Sequence, residues 1–243
     1  MEINAKDLDY EKLNEMIRES KDKNITVYNT LGHRYIGSGS NELNLKLYGI
    51  PGNALGAYLN GSTIEVMGNS SDALGDTMNE GKIIVHGSAG DTCGYAMRGG
   101  KIYIRKNAGY RAGIHMKAYQ DKFPVVIIGG YAGSFLGEYQ AGGIIIVLGL
   151  DGEKYDSNRI IGDFPSAGMH GGKLFIRDDC KYNKFPEQVL VNDAKESDLD
   201  EIKGYLKEYA NIFDLDLNEI LNHEFKVITP NTNNPYKKLY IPN

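Results

Sequence analysis

Five histidines, two cysteines and a recurring set of aspartates are the side chains with which this 243-residue chain would do chemistry. The histidines His33, His86, His115, His170 and His223 are scattered, and no two have the i, i+4 or short-loop spacing of a metal site. Cys93 and Cys180 are too few for a disulfide framework and lack the C-x-x-C spacing of a zinc or redox site. Cys93 shares its position in a repeat, defined below, with Leu, Ile and Ala, which predicts a buried small hydrophobe in place of a nucleophile. Cys180 sits in the run Asp178-Asp179-Cys180-Lys181, where no base can be assigned to it, and reads as an incidental thiol.

Asp72, Asp91 and Asp163 recur at one repeat position together with Asn53 and Ser134. Stacked at an inter-strand spacing of ~5 Å, Asp72 and Asp91 would suit paired-carboxylate acid/base work. The plainer use is structural, because Asx side chains accept from nearby backbone N–H groups and hold turns. The glycine-rich stretches match neither the dinucleotide fingerprint nor the phosphate-binding loop, and no helix start follows them. The residues therefore assign no catalytic, cofactor-binding or metal site.

The elements that would position these side chains come from a repeat. Its anchor is a small residue at Gly37, Gly56, Gly75, Gly94, Gly113, Gly137 and Ser166. The interval is 19 residues four times, then 24 and 29, so the last units carry insertions near Lys117 to Pro124 and Asp151 to Arg159. Ile36, Leu55, Leu74, Cys93, Ala112 and Leu136 precede the anchors, and Met78, Met97, Met116 and Met169 follow three positions later. The pairs Leu45/Leu47, Ile64/Val66, Ile83/Val85, Ile102/Ile104, Val126/Ile128, Ile145/Val147 and Leu174/Ile176 mark one face of a short strand in each unit. Asn60-Gly61, Glu80-Gly81, Gly99-Gly100, Gly142-Gly143 and Gly171-Gly172 are turns where positive φ is affordable.

Units of 19 residues are too short to close a core or to hold a helical crossover, so they must stack as the coils of a β-solenoid. Seven coils at ~4.8 Å make a rod roughly 30 Å long. A hexapeptide left-handed β-helix would need an aliphatic residue every six positions, which this chain does not supply. Between the inward strand residues lie Lys46, Glu65, Ile84, Tyr103, Ile127, Ile146 and Phe175, which must point outward. From the third coil onward this column is too apolar for solvent. Its cover is either the chain's own C-terminal helix or a partner subunit, which makes Ile84, Tyr103, Ile127, Ile146 and Phe175 the candidate partner interface.

The flanks read differently. Asp7 to Glu19 places Leu8, Leu13, Met16 and Ile17 on one helical face after an Asp cap, positioned to close the first open coil. Ser197 is the expected cap of a helix carrying Leu199, Ile202, Leu206 and Tyr209, and Asp216 to Glu219 has capping-box spacing ahead of Ile220 and Leu221. A strand and an extended docking tail follow from Phe225 to Asn243. The expected organisation is an N-terminal helical cap over 1–24, a β-helix domain over 25–180 and a C-terminal helical segment and tail over 181–243.

Composition removes other classes. Lys+Arg number 27 against 32 Asp+Glu, and a net charge of -5 without long blocks gives no electrostatic reason to bind nucleic acid. Thirty glycines against 7 prolines exclude collagen and Pro-rich linkers. A polar N-terminus and strand-sized apolar runs imply no signal peptide and no membrane span, and two cysteines fit a reducing cytoplasm.

The units Gly52-Asn53-Ala54-Leu55-Gly56, Gly90-Asp91-Thr92-Cys93-Gly94 and Gly133-Ser134-Phe135-Leu136-Gly137 resemble the G-x-G-x-G domain of the glutamate synthase large (alpha) subunit, its C-terminal third domain. His33-Arg34-Tyr35-Ile36-Gly37, Gly113-Ile114-His115-Met116-Lys117, Gly143 to Leu150, and the helix Ile202 to Tyr209 followed by Asn234-Pro235-Tyr236 extend the resemblance to a stand-alone form. It covers nearly everything beyond about residue 25. A similar repeat occurs in one of the subunits of formylmethanofuran dehydrogenase.

The resemblance implies an all-β fold, a right-handed single-stranded parallel β-helix of about seven coils with short N- and C-terminal α-helical caps. Handedness comes from the resemblance alone. It also implies a non-catalytic bracing role in glutamate synthesis and nitrogen assimilation, beside a glutamine amidotransferase subunit and an FMN and iron-sulfur subunit that converts 2-oxoglutarate to glutamate. This chain shows no N-terminal Cys nucleophile, no cysteine cluster for an iron-sulfur centre and no βα repeat of barrel size. FMN and iron-sulfur are thus expected on partner subunits, with none in this chain, and homo-oligomers are compatible with this picture. Two alternatives stand: a structural subunit of formylmethanofuran dehydrogenase or another molybdenum or tungsten enzyme, and a self-contained enzyme with its site on the coil loops around His115, Tyr139 and His170.

Overall fold

The computed structural model describes residues 1–152, 154–156, 159–177 and 184–231. Among these, eleven strands form one sheet: β1 (Glu2–Asn4), β2 (Asn24–Leu31), β3 (Asn44–Ile50), β4 (Asn60–Val66), β5 (Glu80–Val85), β6 (Gly100–Ile104), β7 (Pro124–Ile128), β8 (Ala141–Val147), β9 (Gly171–Arg177), β10 (Val189–Asp193) and β11 (Phe225–Pro230). Three helices accompany them: α1 (Tyr10–Glu19), α2 (Glu196–Phe213) and α3 (Leu217–Leu221). From β1 to β9 each strand pairs in parallel with the next in sequence. β11 then inserts antiparallel between β9 and β10.

The register follows the repeat. Ile64, Ile83, Ile102, Val126, Ile145 and Leu174 are successive cross-strand partners, so like side chains stack on one face. That face is fully buried, together with Leu55, Leu74, Met78, Met97 and Met116 from the turn segments. The turn segments form a second ladder, with parallel bridges joining Ala89 to Ala108, Ala108 to Ala132 and Ala132 to Ile161. A core therefore lies between the sheet and the row of turns.

The anchor glycines are required twice over. Gly75 has φ +66°, and a Cβ there would stand 2.6 Å from Ile102 Cδ1 of the next repeat. The same holds at Gly56, 2.7 Å from Ile83 Cδ1. Each turn also holds non-glycine residues at positive φ two positions before and after the anchor, as at Ala73 (56°) and Thr77 (51°). That conformation costs roughly 1–2 kcal/mol per residue. Bonds to the next repeat compensate: Ala73 N–H donates to Asp91 O (2.8 Å) and Thr77 N–H to Tyr95 O (2.8 Å).

The second sheet face carries the outward column, and here an expectation needs correction. Tyr103, Ile127, Ile146 and Phe175 are completely buried and Ile84 nearly so. Ile202, Leu206, Tyr209 and Ala210 of α2, Ile220 of α3, and Phe225 and Val227 of β11 pack on the four buried residues in a second core. The column is therefore internal and offers no free surface to a partner. The cause is the length and periodicity of α2, whose apolar side chains recur every three or four residues and match the width of the strands. Burying each large side chain contributes about 1.5–3 kcal/mol.

Cap details also differ. α2 starts at Glu196 with Lys195 as N-cap, so Ser197 lies inside the first turn and Asp198 accepts from the Lys195 N–H (3.0 Å). α1 begins after Asp9, whose carboxylate accepts from Lys12 N–H (2.7 Å), and buries Leu13 and Ile17. Asp216 caps α3 through the Asn218 N–H (2.8 Å). The flanking segments supply strands as well as helices, since β1, β10 and β11 extend the sheet at both ends. Residues 232–243 of the expected tail, and Cys180, lie outside the described residues.

Candidate functional site

Two surfaces hold the side chains with chemical potential: the turn row and the seam between α2 and the sheet. In the turn row the aspartate column is spent on the backbone. Asp72 accepts from the Asp91 N–H (2.8 Å), Asp91 from the Tyr110 N–H (2.8 Å), and the Ser134 hydroxyl from the Asp163 N–H (2.9 Å). A second file does the same, with Asn69 accepting from Ser88 N–H (2.9 Å) and Asn107 from Tyr131 N–H (2.9 Å). The sequence points to turn-holding Asx residues. The structure shows that each one holds the neighbouring repeat.

Aromatic side chains pile along the same row. Phe135 and Phe164 stack at 5.3 Å, with the Arg111 guanidinium 4.7 Å above Phe135 and bonded to Glu138 (3.2 Å). His115 stacks on Tyr139 at 5.1 Å and 9°, and Tyr95 meets the His115 ring edge-on at 5.9 Å. His170 turns its Nδ1 to the Gly168 carbonyl of its own turn (3.1 Å). The structure therefore brings His115 and Tyr139 together and ties His170 to the backbone. No carboxylate among the described residues orients the His115 ring, as a general base would need.

The other described histidines are structural. His33 is buried, accepts from Leu31 N–H through Nδ1 (3.0 Å) and bonds Leu8 O through Nε2 (2.9 Å), which ties the lead-in to α1 onto β2. His86 bonds Glu65 (2.9 Å) and meets the edge of Phe213 at 5.3 Å. Burial opposes ionisation of Glu65, but the His86 bond and the nearby Lys46 outweigh it and hold its carboxyl below the ordinary range. Cys93 is buried, which pushes its thiol up to about 12 and keeps it unreactive. Among the described residues no group of three His, Cys, Asp or Glu is arranged to hold a metal ion, and no helix is long and apolar enough to cross a membrane.

At the α2 seam, Glu208 is the hub. It takes bonds from Lys101 (2.6 Å), the Tyr103 hydroxyl (2.9 Å) and Lys82. Burial penalises the ionised form, yet these three bonds hold the Glu208 carboxyl at about 2. Lys173 joins Glu201 (2.5 Å) further along α2, and the Tyr209 hydroxyl donates to Ile104 O (3.0 Å). Sequence reasoning missed this cluster because its members are far apart in the chain. The alternation of Lys82 and Lys101 with apolar strand positions was its only trace.

Both surfaces are products of the same glycine-anchored repeat, and a family model described as the GXGXG motif matches residues 11–232. The chain belongs to the GXGXG motif family. A relative in that size class is the uncharacterized protein MJ1350 of Methanocaldococcus jannaschii, 45% identical over 250 residues that take in 99% of this chain and 96% of that protein. Among solved structures, the GXGXG chain is similar to a chain of the formyltransferase/hydrolase complex FhcABCD from Methylorubrum extorquens in complex with methylofuran. The TM-score is 0.62 at 19% identity, covering 80% of this chain and 71% of that one. At that identity the likeness is one of fold.

Proposed function

We propose that this GXGXG chain is a non-catalytic scaffold subunit of a glutamate-synthase-type complex, and that its stack of repeats is a right-handed parallel β-helix bracing the catalytic subunits. The observation that carries the reading is the fate of the turn-row carboxylates and hydroxyls. Asp72, Asp91 and Ser134 hold neighbouring repeats together and stiffen the rod. In this reading the flavin and iron-sulfur chemistry belongs to a partner, glutamine hydrolysis to a second partner, and residues 1–24 and 181–243 close the ends and flank of the helix formed by 25–180.

The test is a pull-down of the tagged chain from its own cells, with mass spectrometry and a visible absorption spectrum of the eluate. A yellow-brown eluate containing a flavin and iron-sulfur synthase supports the reading. A colourless, partner-free chain, or turnover by the chain alone, sinks it. A second reading, a structural subunit of a formylmethanofuran-type molybdenum or tungsten enzyme, is favoured by the likeness of fold to a chain of the FhcABCD complex. Capture of a molybdopterin protein would select it.

A further inference from the structure

The turn row has a repeating bond code, and its first member lacks a predecessor. In each later repeat the anchor N–H donates to the carbonyl before the preceding anchor, as in Gly56 to Ile36 (2.9 Å) and Gly75 to Leu55 (2.9 Å). The N–H four residues after the anchor donates in the same direction, as in Asn60 to Ser40 (3.0 Å) and Asn79 to Leu59 (2.8 Å). The carbonyl one residue after the anchor accepts from the preceding turn, as Asp76 does from Tyr58 N–H (2.8 Å). The corresponding groups of the first turn are Gly37 N–H, Asn41 N–H and Ser38 C=O. None of them bonds another group among the described residues.

The place of a preceding turn is taken by α1, which substitutes for only one of its bonds: Asn14 Nδ2 donates to Arg34 O (2.9 Å). Between α1 and the first turn lies a cleft of about 820 Å³, lined by Tyr10, Asn14 and Arg18 on one side and Tyr35, Gly37 and Ser38 on the other. Gly37 is buried at its floor. The acidic side chains of α1 and its cap are engaged, Glu15 with Lys12 (2.6 Å), Glu11 with the Tyr10 hydroxyl (3.1 Å) and Asp9 with Lys12 N–H (2.7 Å). Arg18 and Arg34 form no ion pair among the described residues, and Arg34 lies 4.9 Å above the Tyr10 ring.

We propose that this cleft is a docking site for an extended acidic segment of a partner subunit, which adds one turn to the open edge. The segment supplies a carbonyl to Gly37 N–H, an N–H to Ser38 C=O three residues later, and a carbonyl to Asn41 N–H one residue after that, the code every internal turn obeys. This is strand addition transferred to a turn row, with affinity from main-chain bonds and selectivity from charge. A carboxylate is selected because the uncommitted charges at the rim are guanidinium groups. The inference rests on the scaffold reading for the source of the segment, while the site itself stands on geometry.

The test is a titration of the 15N-labelled full chain with a capped synthetic peptide of residues 70–79, an acidic copy of an internal turn. Saturating shifts of the Gly37 and Asn41 amide signals are expected, with Arg18→Glu folded and binding about tenfold more weakly. No shift at Gly37, or equal shifts from a scrambled peptide, overturns the proposal. Hydrogen exchange on the complex captured from cells keeps the two readings apart. A partner that co-purifies while Gly37 N–H stays unprotected overturns the docking site and leaves the scaffold role standing. Peptide binding by a chain that captures no partner overturns the scaffold role alone.

Discussion

The Tyr209 hydroxyl donates to the Ile104 carbonyl at 3.0 Å, joining α2 to β6 across 105 residues of sequence. Gly129 makes the approach possible, because a Cβ at that position would collide with the same hydroxyl. Tyr209→Phe keeps the ring and removes the bond. It is expected to cost about 1 kcal/mol in urea unfolding, since Ile104 O retains the Gly129 N–H (2.8 Å).

Tyr103→Glu separates an internal column from a docking surface. A carboxylate in the second core, beside Glu208, should destabilise the chain by more than about 3 kcal/mol and lower the far-UV circular dichroism signal. Wild-type stability would show that α2 does not seal this face in solution.

Acid should loosen α2 first. Glu208 is held at about 2 in the fold, below the ordinary 4.5, so its contribution is fully present above about pH 4.5 and is lost as pH falls toward 2. Glu208→Gln removes that dependence. Protection of the α2 amides should fall through this window in the wild type and stay flat in the variant.

The glycines separate crowding from backbone strain. Gly39 and Gly75 both have φ +66°, but a Cβ on Gly39 meets nothing within 4 Å, whereas one on Gly75 meets Ile102 Cδ1 at 2.6 Å. Gly39→Ala is expected to cost about 1 kcal/mol, and Gly75→Ala about 1–3 kcal/mol more. Adding Ile102→Val should recover part of the second loss. Equal thermal stabilities for the two alanine variants would contradict the crowding.

The aspartate file predicts indifference to charge. Asp91→Asn keeps an oxygen for the Tyr110 N–H and should unfold within ~0.5 kcal/mol of the wild type, while Asp91→Ala should lose about 1 kcal/mol. In the captured complex, activity that survives Asp91→Asn excludes that carboxylate from acid–base work.

The period of 19 made β3 to β9 and their core legible, because strand alternation and anchor glycines recur at fixed offsets. Less visible were β1 and β10, of 3 and 5 residues, which belong to no repeat and are held by pairing alone. The positive φ of Ala54, Ala73 and Phe135 was illegible, since these residue types do not signal it and bonds from neighbouring turns impose it. Leu199, Ile202, Leu206 and Tyr209 gave away α2 as an amphipathic helix. That it covers Tyr103 and Phe175 depended on a return path of the chain that periodicity does not encode.

The insertion of β11 between β9 and β10 sets an order of events during synthesis. The successive repeats from β2 to β9 find their neighbours as soon as they emerge, which favours rapid local zippering. β9 has its outer edge completed only by β11, which the ribosome makes after α2 and α3. Until then the oily strand face and a bare edge stand open together. A nascent chain stalled before Phe225 is accordingly the species with the greatest tendency to aggregate or to recruit a chaperone.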